Sequence, residues 1–416
     1  MKDMEGIHAQ AMKKTNPKLV AVIGIDFSQG YAGTQYLLDR LGQWFDVSIF
    51  VPTTPKRRSW YGGLAHTCHV FPFWGTPWGE GRLRIMSKAF RILVFLRMLL
   101  ARHLLVTETA YLREAAWAKK LRGQRMILAQ FCQELFLPEE YPAGRPKGRW
   151  SATQRKYASS PDIVIDVDPF RARIREQAYG LARTPYVLRN TFPLSHMPPP
   201  ASRGELWKLA GIAPPPAEVP VLVHAGGVGI EKPLDRIIDA IAEQDRPIFL
   251  LAFCAAPESE IQRFRNYAAR KLKPGYFHLR SAVAREQLRA RLWEADIGVV
   301  DYSFSAEPTA NQKYCAPTKL YEFMACGLAI LGSNNDSLRD VIERENIGRC
   351  ARGDGTRDLA AALTDLLDRN LPEMKARARA VFAESYSYEK ICDAEIAAIA
   401  REFLRQSRRP AKSRQN

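Results

Sequence analysis

Pro317-Thr318-Lys319-Leu320-Tyr321-Glu322-Phe323-Met324-Ala325-Cys326-Gly327 lies between two apolar runs of strand length, Asp296-Ile297-Gly298-Val299-Val300-Asp301-Tyr302 and Leu328-Ala329-Ile330-Leu331-Gly332. The order reads as strand, loop, short helix, strand. Proline suits a first helical position, where a missing N–H costs nothing. Leu320, Phe323 and Met324 share an apolar face at spacings of three and four. Lys319 and Glu322 are three apart and can point the same way. Gly327 fits a left-handed helix terminator. The reading is a helix N-terminus at the carboxyl end of a buried strand, with a cation and a carboxylate in its first turns. In a parallel α/β sheet that is where anionic ligands are received. The plainer alternative is a buried packing helix with Lys319 and Glu322 as a solvated pair.

The stretch resembles the donor-binding run of sugar-nucleotide glycosyltransferases built from two facing Rossmann-like domains, the GT-B architecture. It is most similar to the large retaining group called glycosyltransferase family 4, in which a P-x-K-x-x-E-x-M-A-x-G run follows the strand. The resemblance covers roughly residues 220–350. It implies that Glu322 holds the ribose hydroxyls of a donor nucleotide and that Lys319 lies near the diphosphate or the sugar. The family's fuller pattern has a first Glu eight residues before the second. Here that position is Tyr314, which implies a divergent branch of the family or a role for Glu307 in the preceding loop, and leaves retention open.

Composition bounds the rest. A chain of 416 residues suits two domains of similar size. The formal net charge is +17 and favours acidic partners: nucleotide, anionic lipid, phosphorylated acceptor or nucleic acid. No nucleic-acid motif accompanies the charge, so nucleic acid is the least expected of these. The seven cysteines form no C-x-x-C pair, which suggests a reducing compartment and neither a disulfide framework nor a zinc site. Met1 to Pro17 lacks an apolar signal core, and no apolar run reaches membrane-spanning length. A cytoplasmic protein is expected, with contact to the inner membrane surface as an option.

From the amino end, Leu19 to Ile25 reads as a buried parallel strand, followed by a turn, Asp26 to Gly33, and a helix with Leu37, Leu38, Leu41 and Phe45 on one face. By resemblance, Asp26, Gly30 and Gly33 form a lip of the acceptor cleft; the alternative is a tight turn needing positive φ. Ser59 to Arg82 is rich in Trp, Phe and Gly and reads as a loop, either meeting lipid or tucked onto the domain. Arg82 to Val106 reads as a basic amphipathic helix, with Arg84, Lys88, Arg91 and Arg102 on one face and Ile85, Ile92, Leu93, Leu96 and Leu100 away from it. That basic face suits either an anionic leaflet or solvent. The strand Arg125 to Gln130 then delivers Gln133-Glu134-Leu135-Phe136, which resembles the family's His-Asp-Leu-Phe-Pro run. Gln133 would replace the His, and Glu134 would be the carboxylate at the reaction centre, or a surface Glu at a strand end.

Asp162 to Val167 and Tyr186 to Thr191 read as the last strands of the first domain. Pro198-Pro199-Pro200, Pro214-Pro215-Pro216 and Pro220 mark a linker. Val221 to Gly227 opens a second Rossmann-like unit. By resemblance, Gly226, Gly227 and Lys232 cradle the donor diphosphate, with no match for the family's Arg. Gln287 to Ala295 reads as helical, and the tail from Arg408 as disordered.

The expected fold is α/β: an acceptor domain over 1–195, a donor domain over 196–386, and a helix crossing back with a basic tail over 387–416. The expected function is transfer of a sugar from a UDP- or GDP-sugar to a glycan or lipid-linked acceptor in bacterial surface polysaccharide synthesis. It would be retaining, with no cofactor and no metal ion, the nucleotide-sugar being substrate. The alternatives are an inactive glycosyltransferase-like scaffold at the membrane, and an inverting enzyme with Glu134 as base.

Overall fold

The computed structural model describes residues 16–24, 32–53, 64–72, 82–141, 144, 148–197, 199–228, 234–302 and 308–407. Two sheets organise them. The first has seven strands: β1 (Lys18–Val22), β2 (Asp46–Thr53), β3 (Thr67–Pro72), β4 (His103–Thr107), β5 (Ile127–Cys132), β6 (Ile163–Asp166) and β7 (Tyr186–Val187), in the order β3-β2-β1-β4-β5-β6-β7. The second has six: β8 (Val221–Gly227), β9 (Phe249–Ala255), β10 (Phe277–Ser281), β11 (Ile297–Val300), β12 (Ala329–Gly332) and β13 (Gly348–Cys350), in the order β10-β9-β8-β11-β12-β13. Every described register is parallel, with helices between the strands. Fully buried strands such as β4 and β5 carry continuous apolar runs because both faces are covered.

The described residues fall into two compact units. One holds residues up to Phe131, Ser160–Ile163 and those from Ile399; the other holds Cys132–Ser159 and Val164–Ala398. In the first unit, Phe403 of the C-terminal helix (Asp393–Ser407) lies edge-on to Phe45, centroids 5.7 Å apart, and Ser407 Oγ is 2.6 Å from His103 Nε2. In the second, Leu222, Leu250 and Ile297 of the sheet pack with Ile237, Ile238 and Ile241 of the helix Leu234–Ala242 and with Leu359, Leu363 and Leu366 of the helix Thr356–Leu367.

Several expectations need correction. The helix expected over 82–106 is Arg82–Leu100, and its last residues are the strand β4. His103-Leu104-Leu105-Val106-Thr107 is buried on both sides, and periodicity cannot tell such a short apolar run from helix. The loop expected over 59–82 contains the edge strand β3. The strand Tyr186–Thr191 is only Tyr186–Val187, and the helix 287–295 is Arg285–Arg289 followed by a separate turn, Leu292–Glu294. The aromatic residues at 60, 61, 73, 74 and 78 and the tail from 408 lie outside the described residues.

The helix Thr318–Cys326 docks on β11 through a missing side chain. A Cβ on Gly298 would lie 2.4 Å from Phe323 Cδ2, so glycine makes room for the phenyl ring. Pro317 stands at the N-cap and not at the first helical position, so the helix starts one residue later than expected, and Gly327 ends it at φ 70°, ψ 50°. Overpacking a filled core costs about 1–3 kcal/mol. Urea unfolding of Gly298→Ala should show a loss of that size, and adding Phe323→Leu should return part of it; independent, additive losses would show that the two residues do not compete for the same space.

Candidate functional site

The second sheet reverses its order of winding between β8 and β11, and ligands of such sheets bind outside the carboxyl ends of the strands at that point. β8 ends there with Gly226 and Gly227, and β11 leads there into Asp301 and Tyr302. Gly226 has φ 128°, a conformation L side chains rarely adopt. Its space is also taken: a Cβ there would lie 3.2 Å from Lys319 Nζ and 3.3 Å from Cε. The same ammonium is 5.8 Å from the centroid of the Tyr302 ring. The cation from the helix Thr318–Cys326 therefore sits directly over the glycine turn that ends β8. Nearby, Arg236 Nη1 donates to Asp301 Oδ1 at 3.3 Å and both are buried, so this arginine neutralises the carboxylate before Tyr302.

Glu322 does not pair with Lys319 as a three-residue spacing allows. Arg289 Nη2 donates to Glu322 Oε1 at 2.7 Å, and Arg285 Nε lies 3.2 Å from the same oxygen. Both guanidinium groups come from the helix Arg285–Arg289, and the Arg289 guanidinium stacks 4.3 Å from the centroid of Phe192. Both cations thus meet Oε1. Oε2 accepts no protein hydrogen bond among the described residues, which leaves it open to hydroxyl donors.

A second constellation in the same unit is built around Gln133 and Glu134. The helix Pro169–Tyr179 starts on Asp168, whose Oδ1 accepts from the Phe170 and Arg171 N–H groups. It then presents Arg171, Arg175 and Tyr179, each four residues on, along one stripe. Arg171 Nη1 donates to Gln133 O at 2.7 Å, Arg175 Nη2 to Glu134 O at 2.8 Å and Tyr179 OH to Phe136 O at 2.7 Å. Arg175 is completed by a buried ion pair, Nε to Asp166 Oδ2 at 2.7 Å. The remaining residue is held by Asn311: its Oδ1 accepts from Leu135 N at 2.8 Å, while its Nδ2 donates to Glu134 Oε2 at 2.5 Å. Arg171 also donates to Asn311 O and Tyr314 O, tying this segment to the residues that follow β11. Tyr314, at the position of the missing Glu, stacks on Phe170 with centroids 5.6 Å apart, which is a packing role.

Tyr302 follows β11 and faces the Lys319 ammonium. Burial pushes its phenol well above the usual range, with Cys315 and the carboxylates of Glu134 and Glu322 adding to the rise and Arg171 opposing it. The phenol stays protonated at any working pH.

Gly226, Gly227, Lys319 and Glu322 therefore share the end of the second sheet, and Gln133 and Glu134 lie in the same unit. Gly33 belongs to the first unit, in the helix Ala32–Leu41. Asp26, Gly30, Lys232 and Glu307 fall outside the described residues. Sequence reasoning missed Arg171, Arg175, Tyr179, Asn311, Arg285 and Arg289. Only the four-residue spacing of the first three was a legible signal. No group of three His, Cys, Asp or Glu side chains able to hold a metal ion occurs among the described residues.

Residues 219–369 match the family model described as glycosyl transferases group 1. These residues form a group 1 glycosyl transferase domain, and the chain has the GT-B fold. The chain is similar in structure to HepE from Anabaena in complex with UDP-glucose, with a TM-score of 0.68 and 14% identity over 93% of this chain and 99% of that one. It is also similar to sucrose-phosphate synthase from Thermosynechococcus elongatus, at 0.68 and 15% over 93% and 99%. A third is WaaG, a glycosyltransferase involved in lipopolysaccharide biosynthesis, at 0.59 and 13% over 91% and 98%. No curated protein matches the chain in sequence.

Removing the group that orients Glu322 tests the geometry of this end of the glycosyltransferase. Arg289→Leu keeps an apolar contact to Phe192 but takes away the 2.7 Å donor. Donor KM should rise about tenfold, worth about 1.4 kcal/mol, with kcat little changed; an unchanged KM would remove Arg289 from the argument.

Proposed function

We propose that this glycosyltransferase moves a sugar from a nucleotide-sugar, a UDP-sugar first and a GDP-sugar second, to a glycan or lipid-linked acceptor of a bacterial surface polysaccharide. The observation that carries the reading is Lys319 Nζ lying over Gly226 at the turn of the second sheet, with Glu322 Oε2 open one helical turn further on. HepE binds UDP-glucose and UDP, and WaaG acts in lipopolysaccharide biosynthesis; both support the choice of donor and pathway.

In this scheme the Gly226 and Gly227 turn and the Lys319 ammonium receive the diphosphate, and Glu322 Oε2 accepts the ribose hydroxyls. The bond between sugar C1 and the diphosphate oxygen breaks, and its electron pair leaves with the nucleoside diphosphate. Charge builds on that leaving group as the bond lengthens, so a positioned cation stabilises the transition state more than the ground state. No metal ion or cofactor is assigned. The acceptor hydroxyl bonds to C1 from the face the leaving group vacates and passes its proton to the departing phosphate oxygen, giving retention. Gln133 donates to the transferred sugar.

A specific observation keeps a second reading alive. Asn311 fixes Glu134 through Oε2, and Oε1 accepts no protein hydrogen bond among the described residues. A carboxylate so held is a competent base for an acceptor hydroxyl approaching from the opposite face, which gives inversion. The enzyme is placed in the cytoplasm, in peripheral contact with the membrane that carries its acceptor. No described helix is long and apolar enough to cross that membrane.

Thermal melts against UDP-, GDP-, ADP- and CMP-sugars separate these readings from simpler ones. A ligand at a hundred times its Kd stabilises the fold by about 2.7 kcal/mol. One nucleotide should raise Tm, and Glu322→Ala should abolish the rise. A rise with none of them sinks the nucleotide-sugar reading. The anomer of the released product, read by proton NMR, decides between retention and inversion. Under inversion, Glu134→Gln should lower kcat by about 100-fold or more; under retention the loss should be about tenfold or less.

A further inference from the structure

The helix Arg82–Leu100 is apolar on two sides. Phe90, Val94 and Met98, at spacings of four, are buried against the first unit. Ile92, Leu93, Leu96 and Leu100 are not: Leu100 is 76% exposed and Ile92 62%. The next helix, Leu112–Arg122, packs beside it and adds Trp117 and Leu121, the latter 68% exposed. Six of the seven large hydrophobic residues exposed among the described residues lie on this one pair of helices. A water-soluble surface seldom concentrates apolar side chains in this way without a partner.

The outward face differs from the one expected from the sequence, since Ile92, Leu93, Leu96 and Leu100, expected away from the basic face, are exposed. The basic face was expected outward; instead Arg91 turns inward. Its Nε and Nη2 donate to Glu114 Oε1 at 3.0 and 2.8 Å, and its guanidinium lies 5.0 Å from the centroid of the Tyr111 ring. Glu114, further held by Arg113 at 3.0 Å, takes up that charge. What is left outside is the aliphatic row, interrupted by exposed Arg97 and flanked by exposed Lys120 and Arg125, none of which makes an ion pair among the described residues. Residues 82–125 contain eleven Lys and Arg against two acids, Glu108 and Glu114. Glu108 is buried and Glu114 is engaged.

We propose that this helix pair is a docking surface for an anionic lipid bilayer, with Ile92, Leu93, Leu96, Leu100 and Leu121 entering the headgroup boundary and Arg97, Lys120 and Arg125 meeting lipid phosphates. This deepens the reading of a membrane-carried acceptor and rests on it for its biological sense. The charge selects the occupant. A second copy seated on the same face would bring its cations against these cations, with no accessible carboxylate on either helix to receive them. A bilayer supplies hydrocarbon for the leucines and phosphates for the cations at the same depth. A nucleic acid would satisfy the cations and leave the leucines in water.

The test is flotation of the full chain with vesicles of pure phosphatidylcholine and of phosphatidylcholine with 30% phosphatidylglycerol, beside light scattering for oligomeric state. The variants are Leu93→Gln/Leu96→Gln/Leu100→Gln and Arg97→Glu/Lys120→Glu, all at exposed positions. Wild type should float with the anionic vesicles at least tenfold more strongly than with neutral ones. Each variant should lose at least tenfold of that binding while keeping the wild-type melting temperature and the Tm rise with nucleotide-sugar. No flotation, flotation undiminished in both variants, or a wild-type dimer that the leucine variant dissolves would each overturn the proposal. The nucleotide-induced Tm rise reads the donor site separately, so loss of lipid binding with the rise intact, and loss of the rise with lipid binding intact, tell the two failures apart.

Discussion

The contact between Gly298 and Phe323 is the constraint on which the carboxyl end of the second sheet depends. Because the strand residue has no Cβ, the helix after β11 can lie close enough to seat Phe323 where a side chain would otherwise stand. Once that ring is fixed, residues one turn apart on the same helix have fixed positions too. Lys319 comes over Gly226, and Glu322 comes within reach of Arg285 and Arg289. A second glycine is then favoured at 226, where the backbone angle is one L side chains rarely adopt and a Cβ would press on the lysine. The chemistry of the site is thus set by apolar packing behind it, and its polar groups are positioned with little freedom of their own.

The segment carrying Glu134 is fixed by different means. It has no sheet partners of its own beyond β5, and buried peptide groups need partners. The helix Pro169–Tyr179 supplies them with three long side chains at four-residue intervals, and Asn311 supplies the remaining one. Arginine is suited to this because its fork can serve several carbonyls at once; Arg171 serves three. Its position ties the Glu134 segment to residues 311–314 through hydrogen bonds to both. A carboxylate at a reaction centre gains from such holding, since its angle to the substrate is then a property of the fold.

These two arrangements differ in how far the sequence discloses them. The helix Thr318–Cys326 was readable because proline, apolar spacing and glycine terminator mark its ends and face, and the two flanking apolar runs mark its strands. The glycine turn at 226 was readable for the same reason. The partners of Glu322 were not, because Arg285 and Arg289 are more than thirty residues away and nothing local ties them to it. Arg171, Arg175 and Tyr179 drew no reading, because long polar side chains at helical spacing carry no local sign of burial, yet Arg175 is among the most buried side chains of the described residues. The orientation of Arg82–Leu100 failed for a related reason. Periodicity shows that a helix has two faces; when both carry apolar residues, only the packing of Phe90, Val94 and Met98 decides which is inside.

That failure bears on how net charge is read. A surplus of +17 invites the inference of a generally cationic surface, yet in the second unit much of the basic charge is spent internally. Arg171 is used on carbonyls, Arg175 on Asp166 and the Glu134 carbonyl, Arg236 on Asp301 and Arg289 on Glu322. Such groups position other groups and attract no distant partner, because their fields are already answered. Around the helix pair of the first unit the few acids are buried or engaged, and Arg97, Lys120 and Arg125 remain unanswered. Long-range attraction depends on this unanswered fraction, and part of it lies beside a surface where apolar side chains also lack cover. The coincidence of the two on adjacent helices, and not the total charge, gives that face its direction.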